Sequence, residues 1–130
     1  MTLLGACLGK VPYGQCNTLK HTPLPVGIVL DSSMSPKTDS EKQEMTNKPY
    51  RSILRSVMWG QLATHPDLSF SVSLLAHFQA NLGIEHWRAL THVIGYIKNT
   101  LDYGLTYSQD FDISPTAFAN ADYGGCKDTH

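Results

Sequence analysis

The chain has 130 residues, 42% of them hydrophobic and 16% charged, with a formal net charge of −1. That length holds one domain or a piece of one, and the near-neutral balance excludes a basic field spread over the whole surface. Three cysteines, with no CxxC pair among them, indicate neither a zinc site nor a disulfide framework and predict reduced thiols in an intracellular, cytoplasmic or nuclear setting.

The opening MTLLGACLGKVPYG is briefly apolar but has no charged start and no long apolar run, so no signal peptide is expected. No stretch approaches the roughly 20 apolar residues of a membrane span. Gly5, Gly9, Pro12, Gly14, Pro23 and Pro25 predict an irregular path through residues 1–25. The run VGIVL at residues 26–30 reads as a strand or a buried extended segment. Residues 31–47 are polar and rich in turn formers, which predicts a loop with at most a helical turn over residues 40–45. An irregular N-terminal segment over residues 1–47 is the expectation.

Helical periodicity then takes over. Tyr50, Ile53, Leu54, Val57, Met58 and Leu62 recur at the i, i+3, i+4, i+7 spacing of one helix face. Asn47 suits a cap and Pro49 a first turn, while Pro66 ends this helix by biasing His65 away from helical angles. Residues 67–81 are ambiguous: Leu68, Phe70, Val72 and Leu74 alternate like a strand, whereas Leu68, Val72, Leu75 and Phe78 fit a helix. Length and flanking helices favour the helix. Trp87, Leu90, Ile94 and Ile97 mark a third helix over residues 84–99, with Asn99 as its C-terminal cap. Beyond it, residues 103–107 (YGLTY) and 116–123 (TAFANADY) read as two strands joined by an acidic loop. The predicted fold class is mainly α with a small C-terminal β segment: three principal amphipathic helices followed by a two-stranded ribbon.

Candidate chemistry is sparse. Lys48, Arg51 and Arg55, at i, i+3 and i+7, form either a phosphate-contacting stripe or an ordinary solvated helix face. Trp87 leads an apolar stripe and reads as a core anchor. His86 beside it either contacts nucleic acid or simply occupies the helix start. His77 and His92 pair with no other histidine at i, i+4, so no zinc site is expected. Asp110 and Asp112 lie in a Ser/Asp/Pro context, the setting of a solvated loop. Cys126 has no readable base beside it.

The ordered blocks PYRSILRSVMW, ATHPDLSF, SLLAHF, HWRALTHVIGYIKNTLDYGLTY and ANADYGGCKDT, with TPLPVG upstream, resemble the Pol polyprotein of copia-type LTR retrotransposons. The resemblance covers about residues 15–130 and rests on several blocks at natural spacing. It implies that residues 48–101 form a thumb- or connection-like helical part of reverse transcriptase beyond the polymerase palm. It further implies that residues 102–130 are the truncated start of an RNase H domain. In the intact family the chemistry uses pairs of Mg²⁺ ions. An inherited role would be contact with the backbone of an RNA–DNA hybrid or DNA through Lys48, Arg51, Arg55 and Lys98.

Departures from the family pattern matter for activity. No YxDD-like carboxylate pair occurs in the sequence, and without one nothing holds two Mg²⁺ ions about an in-line phosphoryl transfer. Asn120 occupies the position of the family's first RNase H aspartate, with Asp122 two residues on, and a neutral amide is a weaker ligand for a hard cation. Arg55 stands where the family commonly has a small residue, and His65 where it commonly has arginine. The expectation is a Pol fragment without catalysis of its own and with no metal or cofactor bound by this chain alone. The alternative is a protein–protein interaction module that associates, with itself among other partners, through an exposed apolar helical face.

Overall fold

The computed structural model describes residues 19–106, 108, 109, 114, 116–119 and 128. Among them are four α-helices: α1 (Asp39–Thr46), α2 (Tyr50–Ala63), α3 (Ser69–Ala76) and α4 (Ile84–Asn99). Short 3-10 turns at Ser32–Met34 and Pro66–Leu68 precede α1 and α3.

Residues leading into α1 follow a turn rather than a strand. Ile28 N–H donates to the Pro25 carbonyl at 3.2 Å, and Gly27 sits at φ 73°, a conformation that glycine adopts without steric cost. Helix α1 forms where the polar composition predicts a loop. Its start is a capping box: Glu41 N–H donates to Thr38 Oγ1, and the Glu41 carboxylate accepts from Thr38 N–H. The main-chain N–H groups of Lys37 and Thr38, both donating to that carboxylate, hold the Glu41 carboxyl below its ordinary pKa. Asn47 ends α1 instead of capping α2, whose N-cap is Pro49.

The core gathers Ile53, Leu54 and Val57 of α2, Leu68, Val72 and Leu75 from the next segment, and Trp87, Leu90, Val93, Ile94 and Ile97 of α4. The ambiguity over residues 67–81 therefore resolves toward helix for its first part, a 3-10 turn to Leu68 and then α3, while residues 77–81 are turn and bend; Leu68, Val72, Leu75 and Phe78 lie inward. Two directional bonds lock the packing. Tyr50 Oη donates to the Leu75 carbonyl at 2.7 Å, from a buried phenol whose pKa burial pushes up. Tyr96 Oη donates to Asp67 Oδ2 at 2.6 Å; that carboxylate, with burial, raises the Tyr96 phenol to about 12.

Two further expectations need correction. Among the described residues the predicted C-terminal β segment is absent: none of 103–106 or 116–119 lies in a strand, and the regular structure described is helical. The alternation there has no face to bury, since Tyr103, Leu105 and Phe118 are all exposed, Phe118 at 94%. Tyr103 N–H is spent on the Thr100 carbonyl in a turn closing α4, so it makes no ladder bond. Tyr107 and residues 120–123 lie outside the described residues. The second correction concerns α2: Met58 and Leu62 belong to its outer side, not to the face formed by Ile53, Leu54 and Val57.

The junction before α4 is the tightest point. A Cβ at Gly83 would stand 1.9 Å from the Met34 carbonyl oxygen, so only glycine admits the loop there. Gly83 N–H donates to His86 Nδ1 at 3.0 Å, and the fully buried His86 ring stacks on Phe78 with centroids 4.1 Å apart. Gly83→Ala is expected to cost about 1–3 kcal/mol, as overpacking against a rigid backbone does, read as a lower midpoint in chemical denaturation. Burial also lowers the His86 pKa below its usual 6.5, outweighing the Asp31 main chain and the Asp31, Asp128 and Glu85 carboxylates. The unfolded chain therefore takes up this proton first. Stability from His86 is complete above about pH 6.5 and is lost as pH falls through that value toward the folded-state pKa. His92 shifts in the same direction, chiefly through burial. Denaturation midpoints between pH 7.5 and 5 should fall, and less steeply in His86→Gln, which keeps an acceptor for Gly83 N–H.

Candidate nucleic-acid interface

Helix α2 is built with two unlike sides. At 3.6 residues per turn, Tyr50, Ile53, Leu54, Val57 and Gly60 point one way and are buried. Arg51, Arg55, Met58, Trp59 and Leu62 share an arc of about 100° on the other side, and all five are exposed. Trp59 is 62% and Leu62 72% exposed. The neighbouring α3 adds Phe70 at 71%, and Gln61 Nε2 donating to Ser69 Oγ at 3.0 Å ties the adjoining ends of the two helices.

The predicted cationic residues part company. Lys48 precedes α2 rather than standing on it; its Nζ lies 5.3 Å from the Trp87 ring centroid and 3.8 Å from Glu44 Oε1. Its side chain is only 18% exposed, so much of its charge is already answered by the ring and the carboxylate. Arg51 Nε donates to the Gln79 carbonyl at 3.1 Å, which fixes the guanidinium while leaving its other donors unspent in that bond. Arg55 is exposed one turn further on. Lys98 stands half-buried in the last turn of α4. It is about 16 Å along the helix axis from Trp87, where Lys48 rests, so the fold does not bring it to the others.

One cation missed by sequence reasoning joins them. Lys42 of α1, together with Lys48 and Arg51, lines a cleft of about 490 Å³ between α1, the start of α2 and residues 79–82. Thr46, Ser52, Gln79 and Asn81 add polar groups, Met45 and Leu82 an apolar floor, and no acidic residue lines it. Among the described residues Lys42 Nζ pairs with Asp39 at 3.6 Å, a surface pair in which Asp39 is 97% exposed, worth on the order of 0–1 kcal/mol.

Other candidates resolve differently. His86 is sealed inside, out of reach of the surface, and Trp87 is buried beside it. His92 Nε2 is bonded to the Thr22 carbonyl at 3.0 Å. Among the described residues no group of three His, Cys, Asp or Glu side chains is placed to hold a metal ion, and no helix is long and apolar enough to cross a membrane. Asp110, Asp112, Asn120, Asp122 and Cys126 lie outside the described residues.

No family model matches the chain, and no solved structure does. Curated proteins do. A retrovirus-related Pol polyprotein from transposon TNT 1-94 of Nicotiana tabacum is 35% identical over 79 residues, 61% of this chain and 6% of that protein. The secreted RxLR effector protein 161 of Plasmopara viticola is 32% identical over 81 residues, 62% of this chain and 57% of that protein. A retrovirus-related Pol polyprotein from transposon RE2 of Arabidopsis thaliana is 32% identical over 81 residues, again 62% of this chain and 6% of that protein. The chain thus spans a small part of the polyproteins and just over half of the effector. Together with the ordered sequence blocks, these matches relate the chain to a segment of the Pol polyproteins of copia-type retrotransposons.

Proposed function

We propose that this chain is a non-catalytic segment of a Pol-type protein that contacts the sugar–phosphate backbone of an RNA–DNA hybrid or DNA. The observation that carries the reading is local charge. Lys42, Lys48 and Arg51 share one cleft without a carboxylate, and Arg55 extends the track along α2. From Met45 to Pro66 the sequence holds no Asp or Glu at all, so along α2 a phosphate meets donors and no like charge, while Asp39 and Glu44 pair with Lys42 and Lys48 from outside the cleft lining. Lys98 is an outlying contact at most. Set against a net charge of −1, such a track binds locally and weakly rather than enveloping a duplex.

Catalysis is assigned elsewhere in a Pol-type protein. The residues here do not suit a two-metal centre, because Asn120 offers a neutral amide where the family pattern has a carboxylate. A second reading, association with another copy, is favoured by the exposure of Leu62 and Phe70, since large apolar groups clustered at a surface mark contact sites.

Fluorescence anisotropy of a labelled RNA–DNA hybrid across a salt series tests the first reading. Binding should weaken as salt rises, with a logarithmic slope of roughly −2 to −4 for two to four phosphate contacts. Arg55→Gln and Lys42→Gln should each reduce that slope by about 1 without altering thermal stability. Absence of binding at low salt removes the reading, and a defined dimer by light scattering with no hybrid affinity establishes the second one.

A further inference from the structure

A backbone-binding face needs cations, and it has no use for a tryptophan in water. Yet α2 places Arg51, Arg55 and Trp59 at i, i+4 and i+8 on its outer side, each step rising about 6 Å along the axis. Trp59 has no core role, because Ile53, Leu54 and Val57 fill the inward side of the same helix. Phe70, on the helix next to it, is likewise exposed at 71%. Two guanidinium groups on one helix face with a bare indole, and a second exposed ring on the adjoining helix, are the chemistry of a site for unpaired bases; no Asp or Glu stands between Met45 and Pro66, and Asp67 is engaged by Tyr96. Guanidinium groups hold phosphates, and rings stack on the π-faces that a duplex keeps hidden. A protein partner fits less well. It would have to supply carboxylates to both arginines or leave them desolvated and unpaired.

We propose that the outer face of α2 binds a single nucleic-acid strand, with Arg51 and Arg55 on its phosphates and Trp59, supported by Phe70, stacked on its bases. This rests on the backbone-binding reading above and narrows it from duplex to unpaired strand. The bases are taken without regard to sequence, because stacking uses a surface that every base possesses. Leu62 and Met58 form the apolar margin that a splayed base covers.

The molecule carries its own reporter. Of its two tryptophans, Trp87 is buried at 3% exposure and Trp59 is not, so emission that responds to an added solute comes from Trp59. The experiment titrates the full chain with oligothymidylate and, separately, with an RNA–DNA hybrid of the same length. The expected result is quenching of Trp59 by the single strand and tighter binding of it than of the hybrid. Trp59→Ala should weaken single-strand binding about 5- to 150-fold, as loss of one stacked base does, and Trp59→Phe should restore part of it. Because Trp59 is exposed, these variants keep the wild-type melting temperature, which is checked alongside. Hybrid bound as tightly as single strand, with Trp59 emission unchanged, overturns this inference and leaves the backbone reading standing. No binding of either nucleic acid at low salt overturns both. Emission that shifts with protein concentration, and not with oligonucleotide, overturns it in favour of self-association.

Discussion

Burial of α4 is the constraint to which the other elements answer. Nine of its sixteen residues, from His86 to Ile97, are sealed from solvent on several sides of the helix, more than the single stripe an ordinary surface helix hides. Such a helix cannot also serve as a binding surface. It is the post around which α2, α3 and the preceding loop are wrapped, and even Lys48 is drawn against Trp87 at its first turn. What faces away from the post, the outer side of α2 and the cleft beside α1, is the surface left open to a partner.

Much of this was legible in the residues. The apolar spacing of α4 and the inward side of α2 states helix and face together, because a period near 3.6 is hard to satisfy by any other backbone. Proline at position 66 delimits α2 for a steric reason that context does not override. Where the chain misled, local pattern was answered by something remote. The residues at 31–47 look like a loop because they lack apolar periodicity, yet one reciprocal pair, Thr38 and Glu41, suffices to nucleate eight helical residues. Met58 and Leu62 fit the periodic template but lie at its margin, and an apolar residue there is buried only if a neighbour arrives to cover it. Tyr103, Leu105 and Phe118 alternate like strand residues, but a period of two specifies a strand only when one side has a core to meet.

The candidate site was half readable. Arg51 and Arg55 were visible because their spacing fits one helix face. Lys48 was grouped with them by the same arithmetic, although it stands before the helix begins and spends its charge on Trp87 and Glu44. Lys42 was invisible, because its approach to the cleft depends on how α1 meets α2, a tertiary fact. Trp59 was passed over for a related reason: one aromatic on a helix is ordinarily core, and only the packed structure distinguishes a ring facing inward from one facing water.

Among the contacts at the molecule's periphery, the Asp128 carboxylate accepts from Ser32 N–H at 3.1 Å and from Ser32 Oγ at 2.8 Å, across 96 residues of chain. Closing so long a loop costs on the order of 4 kcal/mol in chain entropy, and two exposed hydrogen bonds return about 0.5–1.5 kcal/mol each. The tie is therefore a beneficiary of the helical core and cannot organise it. During folding it closes only after α4 has been enclosed, and it is the clasp that opens first when the enclosure loosens.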